Sequence, residues 1–313
     1  MGINSELPGI VIRVISIVES IIAVYSQRLI ESAVNGVYGE IRNHRHEDNF
    51  LSVNDLEIHT LYFDEFSKVF SSFVYASEED DPRLYGSTRH RTPEYVVLVD
   101  PLDTSELAVR GLSGYTQVII FSANSHEPIL SVVGDIFHEI NIFCAYRTSD
   151  GRNRAFLKTR SGKVLSISSS ANTRLADALI TNYLMKPTDR FAALSNETEL
   201  LGALGAADTE GSRRGRIGVD FGSIGFCHVA AGFTDAFIEV AKGFSLWDLL
   251  PGQYILQAAG GLVSSLSGTL LPCRLSTADP VALTRQMNMR QKFVAAGNPA
   301  MLKCILDSIA AED

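Results

Sequence analysis

The 313-residue sequence predicts a mixed fold, an α+β unit followed by an α/β unit. Three observations predict it. Helical periodicity runs through residues 8–38 and 55–74, and short β-rich apolar runs separated by turn residues fill 95–159. After about residue 165 candidate strands alternate with candidate helices. A run of strands implies an antiparallel sheet, and alternation implies crossover units, so the two halves read as 1–165 and 166–313. A chain that is 46% hydrophobic and 20% charged is not disordered, collagenous or coiled-coil.

In the first helix Ile10, Ile12, Val14, Ile17, Val18, Ile21, Ile22 and Tyr25 form one wide apolar stripe. Arg13, Glu19 and Ser20 interrupt it, whereas a membrane span needs about 20 nearly uninterrupted apolar residues. The stretch therefore reads as a core helix, and a basic start with a small-residue cleavage site, the mark of a signal peptide, is not seen. Ser52 or Asn54 is placed to cap the second helix. Tyr95–Val99 is a buried strand ending at Asp100, followed by strands at Val118–Phe121 and Ile129–Val133 around an Asn124-Ser125-His126 turn. Ile140–Tyr146 and Ala155–Thr159 continue the meander around Ser149-Asp150-Gly151. Beyond it come a strand at Leu179–Tyr183, a helix over 190–206, a helix at Ile224–Gly232 and a strand at Ala236–Val240. A helix over 248–259 closes at Gly260-Gly261, strands follow at Leu262–Leu266 and Phe293–Ala296, and 298–311 is the last helix.

With 27 Lys+Arg against 36 Asp+Glu the net charge is −9, which argues against a nucleic-acid polymer or an anionic membrane surface as partner. Four scattered cysteines form no CxxC pair, so reduced thiols and a cytoplasmic location are expected. The histidines form no HExxH, and no Walker loop, GxGxxG or GxSxG elbow is present. Arg213-Arg214-Gly215-Arg216 reads as a solvated loop, and Trp247 as a packing residue.

Three acidic segments sit at structural transitions: Ser77-Glu78-Glu79-Asp80-Asp81, Asp100-Pro101-Leu102-Asp103-Thr104-Ser105, and Trp247-Asp248. The proline turn brings Asp103 and the Leu102 carbonyl round to the side of Asp100. Thr104-Ser105-Glu106 has the composition of a helix start, whose free amides favour phosphate, and carboxylates beside an anion require an intervening hard cation such as Mg²⁺. Alone, each segment reads more simply as a cap, a turn or a solvated loop.

Together they resemble the inositol monophosphatase family, in the Mg²⁺-dependent, lithium-sensitive phosphatase superfamily with fructose-1,6-bisphosphatases and 3′-phosphonucleotide phosphatases. The resemblance rests on Glu78-Glu79, the Asp-Pro-Leu-Asp motif, Trp247-Asp248 with Ala258-Ala259-Gly260-Gly261, Asn54-Asp55, Val229–Gly232 with Asp235–Glu239, and Phe293–Asn298. It implies a layered α-β-α-β-α sandwich and a homodimer. It implies that Glu78, Asp100, the Leu102 carbonyl, Asp103 and Asp248 hold two or three Mg²⁺. Glu78 and Ser105, with Asp55 behind it, would orient the attacking water. The amides of Thr104 and Ser105 would bind phosphate, and Glu239 a substrate hydroxyl.

The implied function is hydrolysis of a small phosphate monoester, of a polyol, sugar or nucleoside. The rivals are a 3′-phosphonucleotide or sugar-bisphosphate phosphatase, which a basic clamp beside Glu239 would favour, and a non-catalytic relative that binds a phosphorylated ligand. Thr104 replaces the family glycine, Ser77 replaces the loop glycine, and two residues are inserted between Glu239 and Trp247. The Arg-x-x-Gly-Ser stretch has only Gly222-Ser223 as its counterpart.

Overall fold

The computed structural model describes residues 7–47, 49–86, 92–207 and 210–310. The chain forms two compact units, Met1–Ser166 with Arg274–Asn288 and Ile167–Cys273 with Met289–Asp313. The chain thus leaves the first unit after Ser166 and returns to it for 274–288, a segment the two-part sequence division had given to the second half.

In the first unit, α1 (Gly9–Asn35) buries Val14, Val18, Ile21, Ile22 and Tyr25 on one face and closes with Gly36 in the left-handed region. Each such side chain contributes about 1.5–3 kcal/mol when fully buried. Among the described residues α1 is the one helix long and apolar enough to cross a membrane, and its stripe packs in the core of the unit. Helix α2 (Val53–Val69) starts at a capping box in which Ser52 and Asp55 satisfy each other's ends.

The predicted continuation of α2 to residue 74 is replaced by a strand, β1 (Ser72–Ser77). Phe66, Phe70 and Phe73 keep helical spacing, and every residue of β1 is buried, so no polar alternation marks the strand. The acidic Ser77–Asp81 segment accordingly follows a strand. It forms the hairpin to β2 (Asp80–Gly86), a charged, half-exposed strand the sequence did not announce.

Strand β3 (Tyr95–Asp103) pairs parallel with β1, and α3 (Ser105–Ala108) is a single turn beyond it. The meander continues through β4 (Tyr115–Ser122), β5 (Pro128–Asp135), β6 (Ile140–Arg147), β7 (Asn153–Thr159) and β8 (Val164–Ser166). The sheet order is β2-β1-β3-β4-β5-β6-β7-β8, antiparallel except for β1–β3. Phe73, Tyr75, Val97, Val99, Val118 and Ile120 share the face that packs with α1 and α2.

The second unit carries a five-stranded sheet of order β10-β9-β11-β13-β12. Its strands are β9 (Leu179–Asn182), β10 (Arg216–Val219), β11 (Ala236–Phe244), β12 (Leu262–Ser264) and β13 (Gln291–Ala296). β9 runs parallel to β10 and β11, while β13 is antiparallel to both its neighbours.

The helix expected over 190–206 is broken into a π-helical turn (Pro187–Phe191), α4 (Ala192–Asn196) and α5 (Thr198–Leu204). One sheet face packs Ile180, Ile238 and Val294 against Leu194, Leu200, Met301 and Ile305. On the other, Phe237 and Phe293 meet Phe226 of α6 (Gly222–Ala230), whose partner is α7 (Leu246–Ala258). Helix α8 (Pro280–Met287) lies in the returning segment of the first unit, and α9 (Pro299–Leu306) in the second. All four cysteines are free thiols.

Candidate active site

Two residues apart along a strand share a face, yet the carboxylates of interest are Asp100 and Asp103, three apart. A bulge resolves this. Asp100 pairs with Gln117 and Asp103 with Tyr115, so three steps along β3 match two along β4. The extra residue falls at Pro101-Leu102, where a proline without an N–H costs the ladder nothing. The turn read from the sequence is therefore a bulge, and it brings the Asp103 carboxylate to that of Asp100. Gln117 Nε2 donates to Asp100 Oδ2 at 2.9 Å and reaches Asp103 Oδ2 at 3.5 Å. Both carboxylates are buried, Asp100 to 1% exposure, with oxygens within 4.8 Å of each other.

Ser105 Oγ lies 2.7 Å from the Leu102 carbonyl and 2.5 Å from Asp55 Oδ1. Its single proton serves one acceptor at a time. Asp55 is buried, and its other oxygen accepts from the Ser52 amide and hydroxyl at 2.8 and 2.6 Å. Burial raises the Asp55 pKa, and the hydrogen bonds from Ser105 and Ser52 oppose the rise. The cap of α2 thus doubles as the support of the serine, joining residues 50 positions apart.

Thr104 stands at φ 62°, ψ 39°, the left-handed region that a glycine enters freely and a β-branched residue does not. The backbone keeps a glycine's conformation with a threonine in place, its hydroxyl 2.6 Å from the Asp103 carbonyl and 3.2 Å from the Ser113 carbonyl. The amides of Leu107, Ala108 and Val109 are used within the turn of α3, while those of Thr104 and Ser105 precede its first bond. The left-handed position costs an L-residue about 1–2 kcal/mol, and glycine returns part of that as chain entropy. Thr104→Gly is therefore expected to be more stable than Thr104→Val by about 1 kcal/mol. Both variants lack the hydroxyl, so chemical denaturation of the pair isolates the strain, and a valine variant of equal or greater stability refutes it.

Glu78 and Glu79 form the tip of the β1–β2 hairpin. The Glu78 amide donates to the Val99 carbonyl, which places its backbone beside Asp100. Its carbonyl accepts from Arg45 Nε at 3.1 Å, and Arg45 also pairs with Asp81, fixing the hairpin from the loop before α2. Glu79, to which the sequence assigned no role, has its pKa raised to about 8, first by burial and then by the charge of Asp55. Gln117 and Arg45 were also missed. A glutamine inside the apolar run Tyr115–Phe121 was the available signal for the first.

In the second unit Asp248 lies in the first turn of α7, where a carboxylate suits the helix dipole. Its carbonyl accepts from Ser223 Oγ at 2.7 Å, and Ser223 Oγ in turn accepts from the Gly252 amide at 3.0 Å. Gly222-Ser223, the counterpart of the family's Gly-Ser, therefore holds the backbone of Asp248. Trp247 is buried, in keeping with a packing role.

Glu239 is placed otherwise than expected. It is 0% exposed, with Oε1 accepting from the amides of Ala241, Lys242 and Gly243 and Oε2 paired with Arg190. The inserted residues bulge between Glu239 and Phe244, and their amides turn inward onto the carboxylate. A side chain so enclosed does not face a substrate hydroxyl.

The paired carboxylates of the first unit, buried and all oxygen, suit a hard divalent cation. Nitrogen and sulfur ligands of the kind that select zinc or copper are not part of the pair.

The chain is similar to known proteins in sequence and in fold. It is 27% identical over 228 residues to the bifunctional NADP phosphatase/NAD kinase of Methanococcus maripaludis, covering 68% of this chain and 36% of that one. It is 27% identical over 176 residues to the Nus factor SuhB of Pseudomonas aeruginosa, covering 56% and 58%. The chain thus spans less than two thirds of either relative. A solved IMPase/NADP phosphatase complexed with NADP and Ca²⁺ superposes with a TM-score of 0.64 at 15% identity, over 96% of this chain and 93% of that one. At that identity the likeness establishes the fold, a mixed α/β architecture of the IMPase type. The family model for inositol monophosphatases matches residues 10–311, from α1 to beyond α9 and through every acidic segment, and the chain belongs to the inositol monophosphatase family.

Proposed function

We propose that the protein is a Mg²⁺-dependent phosphatase that hydrolyses a small phosphate monoester by attack of water. The observation that carries this reading is the bulged Asp100–Asp103 segment, which gathers buried oxygen donors beside a serine hydroxyl bonded to a buried aspartate. Asp100, the Leu102 carbonyl and Asp103 would hold the cation. Glu78 joins them from the hairpin, and from the second unit the same reading takes Asp248. Bound Mg²⁺ would supply charge neutralisation at the phosphoryl oxygens and a more acidic water.

The chain's own part in the step is proton handling. Ser105 Oγ, donating to Asp55 Oδ1, keeps lone pairs with which to accept a hydrogen bond from water and orient its oxygen. As water loses its proton, Ser105 Oγ takes it and passes its own to Asp55 Oδ1. Burial makes Asp55 a better proton acceptor than an exposed aspartate. The amides of Thr104 and Ser105 would hold phosphate oxygens, and no side chain becomes phosphorylated.

Arg190 is paired with Glu239 and spent on that carboxylate at 5% exposure. Arg190 itself is therefore not free to clamp a second phosphate.

Release of inorganic phosphate from inositol, sugar and nucleoside monophosphates, NADP and a 3′-phosphonucleotide, with and without Mg²⁺, tests the proposal. Turnover of at least one monoester only with the metal is expected. No release from any of them by protein shown to bind Mg²⁺ overturns the reading in favour of a non-catalytic phospho-ligand binder.

A further inference from the structure

The second unit contains a buried ion pair that the catalytic reading leaves without a task. Arg190, from the π-helical turn Pro187–Phe191, meets Glu239 of β11 across 49 residues of sequence, with the side chains 5% and 1% exposed. A buried pair is seldom retained for stability alone, because its desolvation offsets most of the attraction. This one is also committed to a particular backbone path. Five steps along β11, from Glu239 to Phe244, span the register of two along β13, from Phe293 to Gln291.

The surplus residues would leave amides unpaired inside the protein. Glu239 Oε1 collects those of Ala241, Lys242 and Gly243 at 2.9, 2.9 and 3.3 Å. On the acceptor side, the Gly243 carbonyl takes Arg190 Nη2 and Arg290 Nη1, each at 3.4 Å. Gly243 itself is at φ 76°, and a Cβ there would come within 2.8–3.0 Å of the Gln291 backbone. The guanidinium lies over the Tyr183 ring at 4.4 Å and near Phe244 at 5.4 Å, so it is clamped as well as paired.

This path leads directly into α7. Phe244 is buried among Tyr183, Phe237 and Phe293, Ser245 is the N-cap, and Asp248 follows in the first turn. Asp248 is thereby held on two sides, by Ser223 at its carbonyl and by the locked bulge just upstream.

We propose that Arg190 and Glu239 are positioning residues for Asp248, fixing the β11–α7 connection so that its carboxylate meets the divalent cation in one geometry. The glutamate that the resemblance assigned to a substrate hydroxyl acts on the metal side of the site. The inference rests on the reading of Asp248 as a metal ligand.

The test is Mn²⁺ binding to the full chain, read by electron paramagnetic resonance of free Mn²⁺, alongside the KM for the best phosphate ester at saturating Mg²⁺. Arg190→Met, Arg190→Lys and Glu239→Gln are compared with Asp100→Asn and Asp248→Asn. Outer residues that orient metal ligands typically change affinity about 10–100-fold. Arg190→Met and Glu239→Gln are therefore expected to weaken Mn²⁺ by about 10-fold or more with KM unchanged, and Arg190→Lys to recover part of the loss. Glu239→Gln keeps an oxygen for the three amides, so it reports on the pair if Arg190→Met does not fold. A raised KM with unchanged Mn²⁺ affinity would return Glu239 to the substrate and overturn the proposal. Unchanged affinity in the Arg190 and Glu239 variants, with binding lost in Asp100→Asn and Asp248→Asn, sinks the positioning role alone. Unchanged affinity in Asp100→Asn and Asp248→Asn as well would instead sink the metal-site reading beneath it.

Discussion

Asp100→Asn is expected to lower Mg²⁺-dependent phosphate release by about a thousandfold or more, the equivalent of some 4 kcal/mol of transition-state stabilisation. The fold should survive the change. Asparagine has the shape of aspartate, and its amide oxygen can still accept from Gln117 Nε2, now at 2.9 Å from Asp100 Oδ2. Removing one of two buried carboxylates whose oxygens come within 4.8 Å also removes a like-charge repulsion that a bound cation relieves. Without metal the variant should melt at the wild-type temperature or above it. With metal, the wild type should gain stability and the variant gain little, because a cation that binds only the native state stabilises it by mass action. Thermal melts with and without Mg²⁺ beside an activity assay check all three points. Retention of a tenth of the activity would remove Asp100 from the metal site.

Ser105→Ala should reduce kcat about 100-fold while leaving KM unchanged, and Ser105→Thr should restore most of the rate. The alanine variant keeps the α3 backbone and the Thr104 and Ser105 amides, so binding of the phosphoryl group has no reason to weaken. It loses the oxygen 2.5 Å from Asp55, and with it the path by which water hands over a proton. Asp55 then keeps its Ser52 bonds and that of its own backbone amide against its burial, so its pKa should rise further, and stability should fall by about 1–3 kcal/mol near neutral pH. Steady-state kinetics at saturating Mg²⁺ separate the two constants. An alanine variant with wild-type kcat would strike the serine from the mechanism.

The two kinds of carboxylate were not equally legible in the sequence. Asp100, Asp103 and Asp248 sit in contiguous motifs at element ends, where a strand exit and a helix start are visible in the letters. The enclosure of Glu239 depends on Arg190, a residue 49 positions away with no local mark, and on a bulge whose only trace is two inserted residues. Thr104 was recognisable as a substitution, but its left-handed backbone is a property of the fold.

The same divide runs through the secondary structure. Strands with an apolar run, such as Tyr95–Val99, were read at once. β1 was hidden because all six of its residues are buried, and β2, β8 and β10 because they are short or exposed edge strands whose side chains carry little pattern. α8 was passed over in a stretch whose start is a proline after an Asp279 cap, signals that need no long apolar stripe.

The order of the second sheet bears on how a newly made chain acquires its site. β13, residues 291–296, is inserted between β11 and β12, both complete by residue 264. During synthesis those two strands must wait, β11 with one edge open and β12 without its ladder partner, until a later strand arrives to fill the gap between them. The β11 bulge waits with them, since its register exists only against β13. A ribosome-bound chain that has released residue 264 but not residue 296 has every acidic motif in hand and no settled backbone leading to Asp248. Metal competence would then be acquired abruptly and late, with unpaired strand edges as the hazard of the interval.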